Sequence, residues 1–245
     1  MTNIALAQVV RRVRPPVRAA EVPDFLAMID QQTTMVVNLA RLVGEVLQGK
    51  ESTHSLRLLD LEQRREELQR RNQAAVHSLP DRHARLDEIH WTMSALDRAA
   101  AVLFQTARGF QQLRSTPDEA ASQMMLVVQK AIESLQQGYA QLASGSPAAE
   151  FEADAAIGSE SALSSYRSLG WPGSDAGQSL AASRNQAATP AERSFAGRWL
   201  DELYGNLNNI AHELAGAGAI LKSWSRQLSA AAMARTLSPQ KLLLS

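Results

Sequence analysis

The chain has 245 residues, with 25 basic and 25 acidic side chains, so its formal charge is zero and nothing global draws it to nucleic acid or an anionic membrane. It contains no cysteine, which excludes disulfides, thiol catalysis and thiolate metal sites. Hydrophobic residues make up 45% but aromatics only 5%. Ala, Leu, Gln and Arg are abundant, which favours helices, and no apolar run reaches the length of a membrane span.

Residues 1–23 read as a flexible basic leader, with Arg11, Arg12, Arg14 and Arg18 interleaved with Val and Pro15-Pro16. The segment lacks the apolar centre of a signal peptide, so the expected location is a reducing cytoplasm. The first helix is expected from Asp24, as N-cap after Pro23, to Gln48, with Gly49 closing it. Its stripe is Phe25, Ile29, Val36, Ala40, Val43 and Leu47. The second helix is expected from Ser52 or Thr53 to just before Pro80. Its apolar positions are Leu58, Leu61, Leu68 and Ala75. Glu62 and Glu66 stand among arginines and read as a salt-bridged, solvated face.

The third helix is expected after Pro80, capped by Asp81, to about Arg114. Leu86, Ile89, Met93, Leu96, Ala100, Leu103, Ala107 and Phe110 alternate steps of three and four, which places them on one face. Thr116-Pro117-Asp118-Glu119 is a capping signal for a fourth helix to Leu142, and Ser144 to Pro147 is a break. A fifth helix is expected from Ala148 to Leu169, followed by a flexible loop over 170–190. The capping signal recurs at Thr189-Pro190-Ala191-Glu192. The sixth helix then runs to Leu228 or Ala234, with the stripe Leu200, Leu203, Leu207, Ile210, Leu214, Ala217, Leu221 and Trp224. Residues 236–245 form a tail whose Leu242, Leu243 and Leu244 could fold back onto apolar surface.

The expected fold is therefore all-α: a six-helix up-and-down bundle over 24–235, made of two three-helix repeats, 24–115 and 116–235. Polar pairs flank the matched stripes: Asp97 with Ala101 in the third helix, Asn208 with His212 in the sixth. Trp91, Trp199 and Trp224 are expected in the core or a groove, and Trp171, in the loop, is either packed down or a partner anchor. A di-iron carboxylate enzyme would need two Glu-x-x-His motifs. Glu51 to His54 and Asp87 to His90 only approximate them, and Ile89 rather than His90 lies on the stripe. No Gly-x-Ser-x-Gly elbow or Gly-rich phosphate loop occurs, so no residue is assigned a catalytic step.

The layout resembles the PhoU-like proteins, in particular those associated with Pit-type inorganic phosphate transporters. The resemblance is carried by Asp24-Phe25-Leu26 and the amphipathic helix to Leu47, by Leu61-Glu62-Gln63-Arg64-Arg65-Glu66, by Leu96-Asp97-Arg98-Ala99-Ala100-Ala101, by Glu150-Phe151-Glu152-Ala153-Asp154, and by Trp199 to Tyr204 leading to Asn208 and His212. It implies a PhoU-like fold and a non-catalytic accessory or regulator of phosphate transport. Such a protein would bind a phosphate permease or another regulatory protein, reach the membrane only through that partner, and bind no nucleic acid; homo-oligomerisation stays open. The resemblance also implies metal sites made from paired acids on neighbouring helices, where residues four apart share a face. Here Glu66 replaces an Asp, Ala101 removes a ligand and Asn208 is neutral. What the resemblance leaves is one degenerate site for a divalent metal or iron, made from Glu150 and Asp154 with Asp97 or His212. The plain alternative for Glu150 and Asp154 is as first-turn acids favoured by the helix dipole.

Overall fold

A computed structural model describes residues 23–78, 85–110, 119–170 and 190–237, with side chains over 23–78, 85–110, 120–166 and 198–230. The first helix, α1 (Phe25–Leu47), begins where the Asp24 carboxylate accepts the Ala27 N–H at 3.0 Å. That bond satisfies one of the donors a helix start leaves free. Its end is closed by Gly49 at φ +69°, with Gly49 N–H bonded to Val46 and Lys50 N–H to Glu45. This is the paired 5→2 and 6→1 closure that needs a left-handed residue.

Among the described residues five more helices follow: α2 (Leu56–His77), α3 (Leu86–Phe110), α4 (Glu119–Ala143), α5 (Ala149–Gly170) and α6 (Pro190–Leu237). The end of α4 repeats the closure of α1. Gly145 sits at φ +72°, Gly145 N–H bonds Leu142 and Ser146 N–H bonds Gln141. The expected caps Asp81 and Thr116, the 171–189 part of the loop, Trp171, the basic leader to residue 22 and the tail from 238 lie outside the described residues.

Helix α2 starts later than expected. Ser55, not Ser52 or Thr53, is the N-cap, accepting the Leu58 N–H at 3.2 Å. Its inner face is corrected too: Asn72 and Val76 are buried, while Ala75 and Leu61 are only half-buried. Helix α6 continues beyond the expected end, to Leu237.

Helices α1, α3, α6 and α4 form a closed ring, each packed on the next, and α1 and α4 complete the circle. Helix α2 lies outside against α1 and α3, and α5 lies outside against α4 and α6. Neighbouring contacts fix the directions. Thr34 meets Gln136 and Arg41 meets Glu133, so α1 and α4 are antiparallel. Glu88 meets Trp224, Arg98 meets Glu213 and Gln105 meets Glu202, so α3 and α6 are antiparallel as well. Asn72 meets Gln32 and Arg57 meets Glu45, and Lys222 meets Asp154 and Arg226 meets Glu150, so α2 runs against α1 and α5 against α6, and the six described helices alternate up and down.

The core stripes fall where the spacing places them. Each inner helix also buries more than a single stripe, because each has three neighbours. In α1, Met35, Val37, Leu42 and Val46 are buried beside the expected row. Each fully buried Leu, Ile or Val stabilises the fold by roughly 1.5–3 kcal/mol, and this term holds the ring together. Tyr139 of α4 stands inside the ring. Its hydroxyl lies 3.4 Å from both the Thr92 hydroxyl of α3 and the Ala217 carbonyl of α6, and its ring meets Trp224 edge-on at 6.2 Å. Burial pushes its phenol well above the ordinary tyrosine range. None of the described helices is long and apolar enough to cross a membrane.

Candidate functional site

The four residues singled out from the sequence occupy two separate places. Glu150, Asp154 and His212 line the seam between α5 and α6. There Glu150 Oε1 accepts Arg226 Nε at 2.8 Å, Asp154 Oδ1 meets Lys222 Nζ at 2.5 Å, and Glu160 Oε1 lies 3.1 Å from His212 Nδ1. The first two rungs follow from antiparallel helices on which the acids, Glu150 and Asp154, and the cations, Lys222 and Arg226, are four apart. Glu150 is half-buried, while Asp154 and His212 are exposed, His212 most of all with 74% of its side chain open to solvent. Pairs of this kind typically contribute about 0–1 kcal/mol each.

Asp97 is elsewhere. It points from α3 toward α2 and is 15% exposed. Arg65 grips it with two parallel bonds, Nε to Oδ1 at 2.9 Å and Nη2 to Oδ2 at 3.0 Å, and Gln69 Nε2 donates to Oδ2 at 2.9 Å. Helices α2 and α3 do not touch α5, so Asp97 does not join Glu150 and Asp154. Among the described residues, no three His, Asp or Glu side chains are grouped to hold a metal ion. Glu62, read as part of a solvated face, reaches across to Arg108 of α3.

Behind the Arg65–Asp97 pair the structure opens a feature that the stripes did not reveal. A cleft of about 180 Å³ lies between α1, α2 and α3. Four carboxamides line it, Gln32, Gln69, Asn72 and Gln73, together with the apolar Val76 and Met93. Gln32 and Asn72 are 2% and 3% exposed. Asn72 Nδ2 donates to Gln32 Oε1 at 3.1 Å, and Gln32 Nε2 donates to the Met93 carbonyl at 2.8 Å. A sequence signal for it exists. In the row Leu58, Leu61, Arg65, Leu68, Asn72, Val76, two core-facing steps are polar, and α1 carries Gln32 among its buried apolar positions.

A second aromatic site lies between α3 and α6. Trp91 lies against Gly216, where a Cβ would come within 2.1 Å of the indole, so only glycine admits the ring. Trp91 remains 39% exposed, and the Arg98 guanidinium lies over it at 5.8 Å. A hydrogen bond to Glu213, together with its charge, raises the Arg98 pKa above the usual arginine value. No model of a protein family matches the chain, and no curated protein matches it.

Proposed function

We propose that this protein is a non-catalytic, PhoU-like accessory protein of the cytoplasm that acts by binding a protein partner, a phosphate permease or a component that signals its state. The observation that carries this reading is the common plan of α1–α3 and α4–α6. Each triplet has its outer helix on its own two inner helices, and each first helix ends in the same two-bond glycine closure. That plan supports two copies of one three-helix unit, which is the architecture the resemblance implies. The permease as partner rests on the resemblance.

The chemistry of the surface supports binding rather than turnover. The acids at the degenerate metal positions are held by cations, Asp97 by Arg65 in one place and Glu150 and Asp154 by Arg226 and Lys222 in the other, so a metal at Glu150 and Asp154 would have to displace two cations. Leu56 and Leu59, strongly exposed at the start of α2, are available for a protein contact. The test is a deletion strain and a tagged chain. The expected results are an altered rate of phosphate uptake and co-purification with a phosphate permease of the same cell. Unchanged uptake with no permease recovered sinks the phosphate role.

A second reading, a self-associating scaffold, is favoured by one feature. Phe151 is 75% exposed, and it shares a face of α5 with Ala155 and Gly158, which border a groove against α4. Light scattering of the purified chain separates the two: a stable dimer broken by Phe151→Ser supports the scaffold, and a monomer removes it.

A further inference from the structure

We propose that the cleft between α1, α2 and α3 binds a small, uncharged, planar ligand with an amide-type edge, of the size of a nucleobase or nicotinamide. This goes beyond the accessory role and does not depend on which partner the bundle engages.

The argument starts from unused hydrogen-bonding capacity. A carboxamide has two N–H donors and an oxygen with two acceptor positions. Gln32 uses one donor, to the Met93 carbonyl, and one acceptor position, for Asn72. Asn72 uses one donor, and its oxygen receives only a 3.5 Å contact from Arg71. The remaining donors and acceptors belong to side chains almost fully withdrawn from bulk water, and both residues border the cleft. Each polar atom of the two already has one partner, so the fold does not require an occupant, but the second N–H of each amide and the spare lone pairs can bond a ligand in the cleft. Gln69 and Gln73 add two more carboxamides on the α2 side.

The charges define the class. Asp97 borders the cleft but is neutralised by Arg65, and Arg98 borders it but is neutralised by Glu213. His90 also borders the cleft as an imidazole; apart from that ring, an ion meets no charged group there without an opposite partner. Carboxamides instead match a neutral edge that presents a donor beside an acceptor, the pairing by which Asn and Gln hold an adenine. Val76 and Met93, 8% and 5% exposed, supply apolar surface for a ring face, and the Met thioether favours aromatic contact. The volume agrees. An apolar cavity of about 150 Å³ accommodates benzene, and this cleft is slightly larger.

The experiment is calorimetric titration of the full chain with uracil, adenine and nicotinamide, with glucose and inorganic phosphate as comparators. Saturable binding of at least one of the three amide-edged compounds is expected. Two variants locate it. Asn72→Leu removes the inner carboxamide and should weaken binding about tenfold or more. Ser94→Leu places a larger side chain at the cleft wall without removing any hydrogen bond seen among the described residues, and should abolish binding while circular dichroism remains that of the parent. Binding unaffected by Ser94→Leu in a folded variant overturns the location. Binding of glucose or phosphate alone overturns the class, and no binding by any of the three overturns the proposal.

Discussion

Helices α2 and α5 hold equivalent places, each laid across two inner helices, yet they are attached by different physics. Helix α5 buries Ala149, Ala153, Ala156 and Leu163 completely, and it meets glycines of both its neighbours. Gly138 of α4 faces Glu152, and Gly218 of α6 has the Ala153 carbonyl and Ile157 so near that a Cβ would lie 3.0–3.1 Å from them. Small side chains bring the backbones of α5 and α6 close together at Gly218. Helix α2 instead sends Arg65, Gln69 and Asn72 inward, and long polar side chains hold it off the ring. The gap they prop open is the carboxamide-lined cleft. One adjacency can thus be built through small side chains or through polar ones, and the polar one encloses a cleft lined by carboxamides.

The comparison can be broken at several points. The largest effect is expected at Asp97. Asp97→Ala strands Arg65, which is only 20% exposed, and should cost about 3 kcal/mol in urea denaturation. The double variant Arg65→Met with Asp97→Leu should recover most of that loss, since an apolar pair needs no partner charge. If the single change costs no more than an exposed pair, α2 is not held by polar bonds. Next comes Gly218→Leu, which forces α5 away from α6 and should cost about 2 kcal/mol through overpacking. A smaller effect of the opposite sign is expected at Gly158, on the open face of α5, where a Cβ meets nothing within 4 Å. Gly158→Ala should stabilise by about 0.5–1 kcal/mol, visible as a higher midpoint, because it restricts the unfolded chain.

The smallest effect belongs to the ring itself. Burial raises the Glu133 pKa, but hydrogen bonds from Arg41 and Gln129 outweigh it and hold the carboxyl below the ordinary glutamate value. A depressed carboxyl contributes stability that is full above its unfolded pKa and is lost as the pH falls through its folded one. Glu133→Gln should therefore lower neutral stability by a few tenths of a kcal/mol and leave stability in acid, below the carboxyl's folded pKa, nearly unchanged, so that the acid limb is flatter. A steeper acid limb in the variant would contradict the assignment.

The inner helices were legible because burial on a regular helix writes its own period. Ile29, Leu96, Leu103, Leu207 and Leu214 lie where steps of three and four place them, and Gly49 announces its turn because left-handed backbone favours glycine. The outer helix α2 was not, because its contact face is partly polar. Counting apolar residues put Ala75 on that face and passed over Asn72. The partners of the acids were equally hidden. Glu150 and Arg226 are 76 residues apart, Asp154 and Lys222 are 68 apart, and no local pattern joins them. Asp97 stands out beside the α3 stripe, yet its partner Arg65 reads in the sequence as one arginine among several on a charged surface.

Helix α6 touches α3, α4 and α5, so the ring cannot close until the last helix exists. During synthesis the apolar flank of α3, with Ile89, Leu96 and Leu103, is finished long before its cover of Leu203, Leu207 and Leu214 is translated. At roughly 5–20 residues per second the interval lasts several seconds, far longer than local helix formation takes. A ribosome that stalls in the stretch before Pro190 therefore releases a chain with an open hydrophobic seam, a form that quality-control proteases and chaperones are built to recognise.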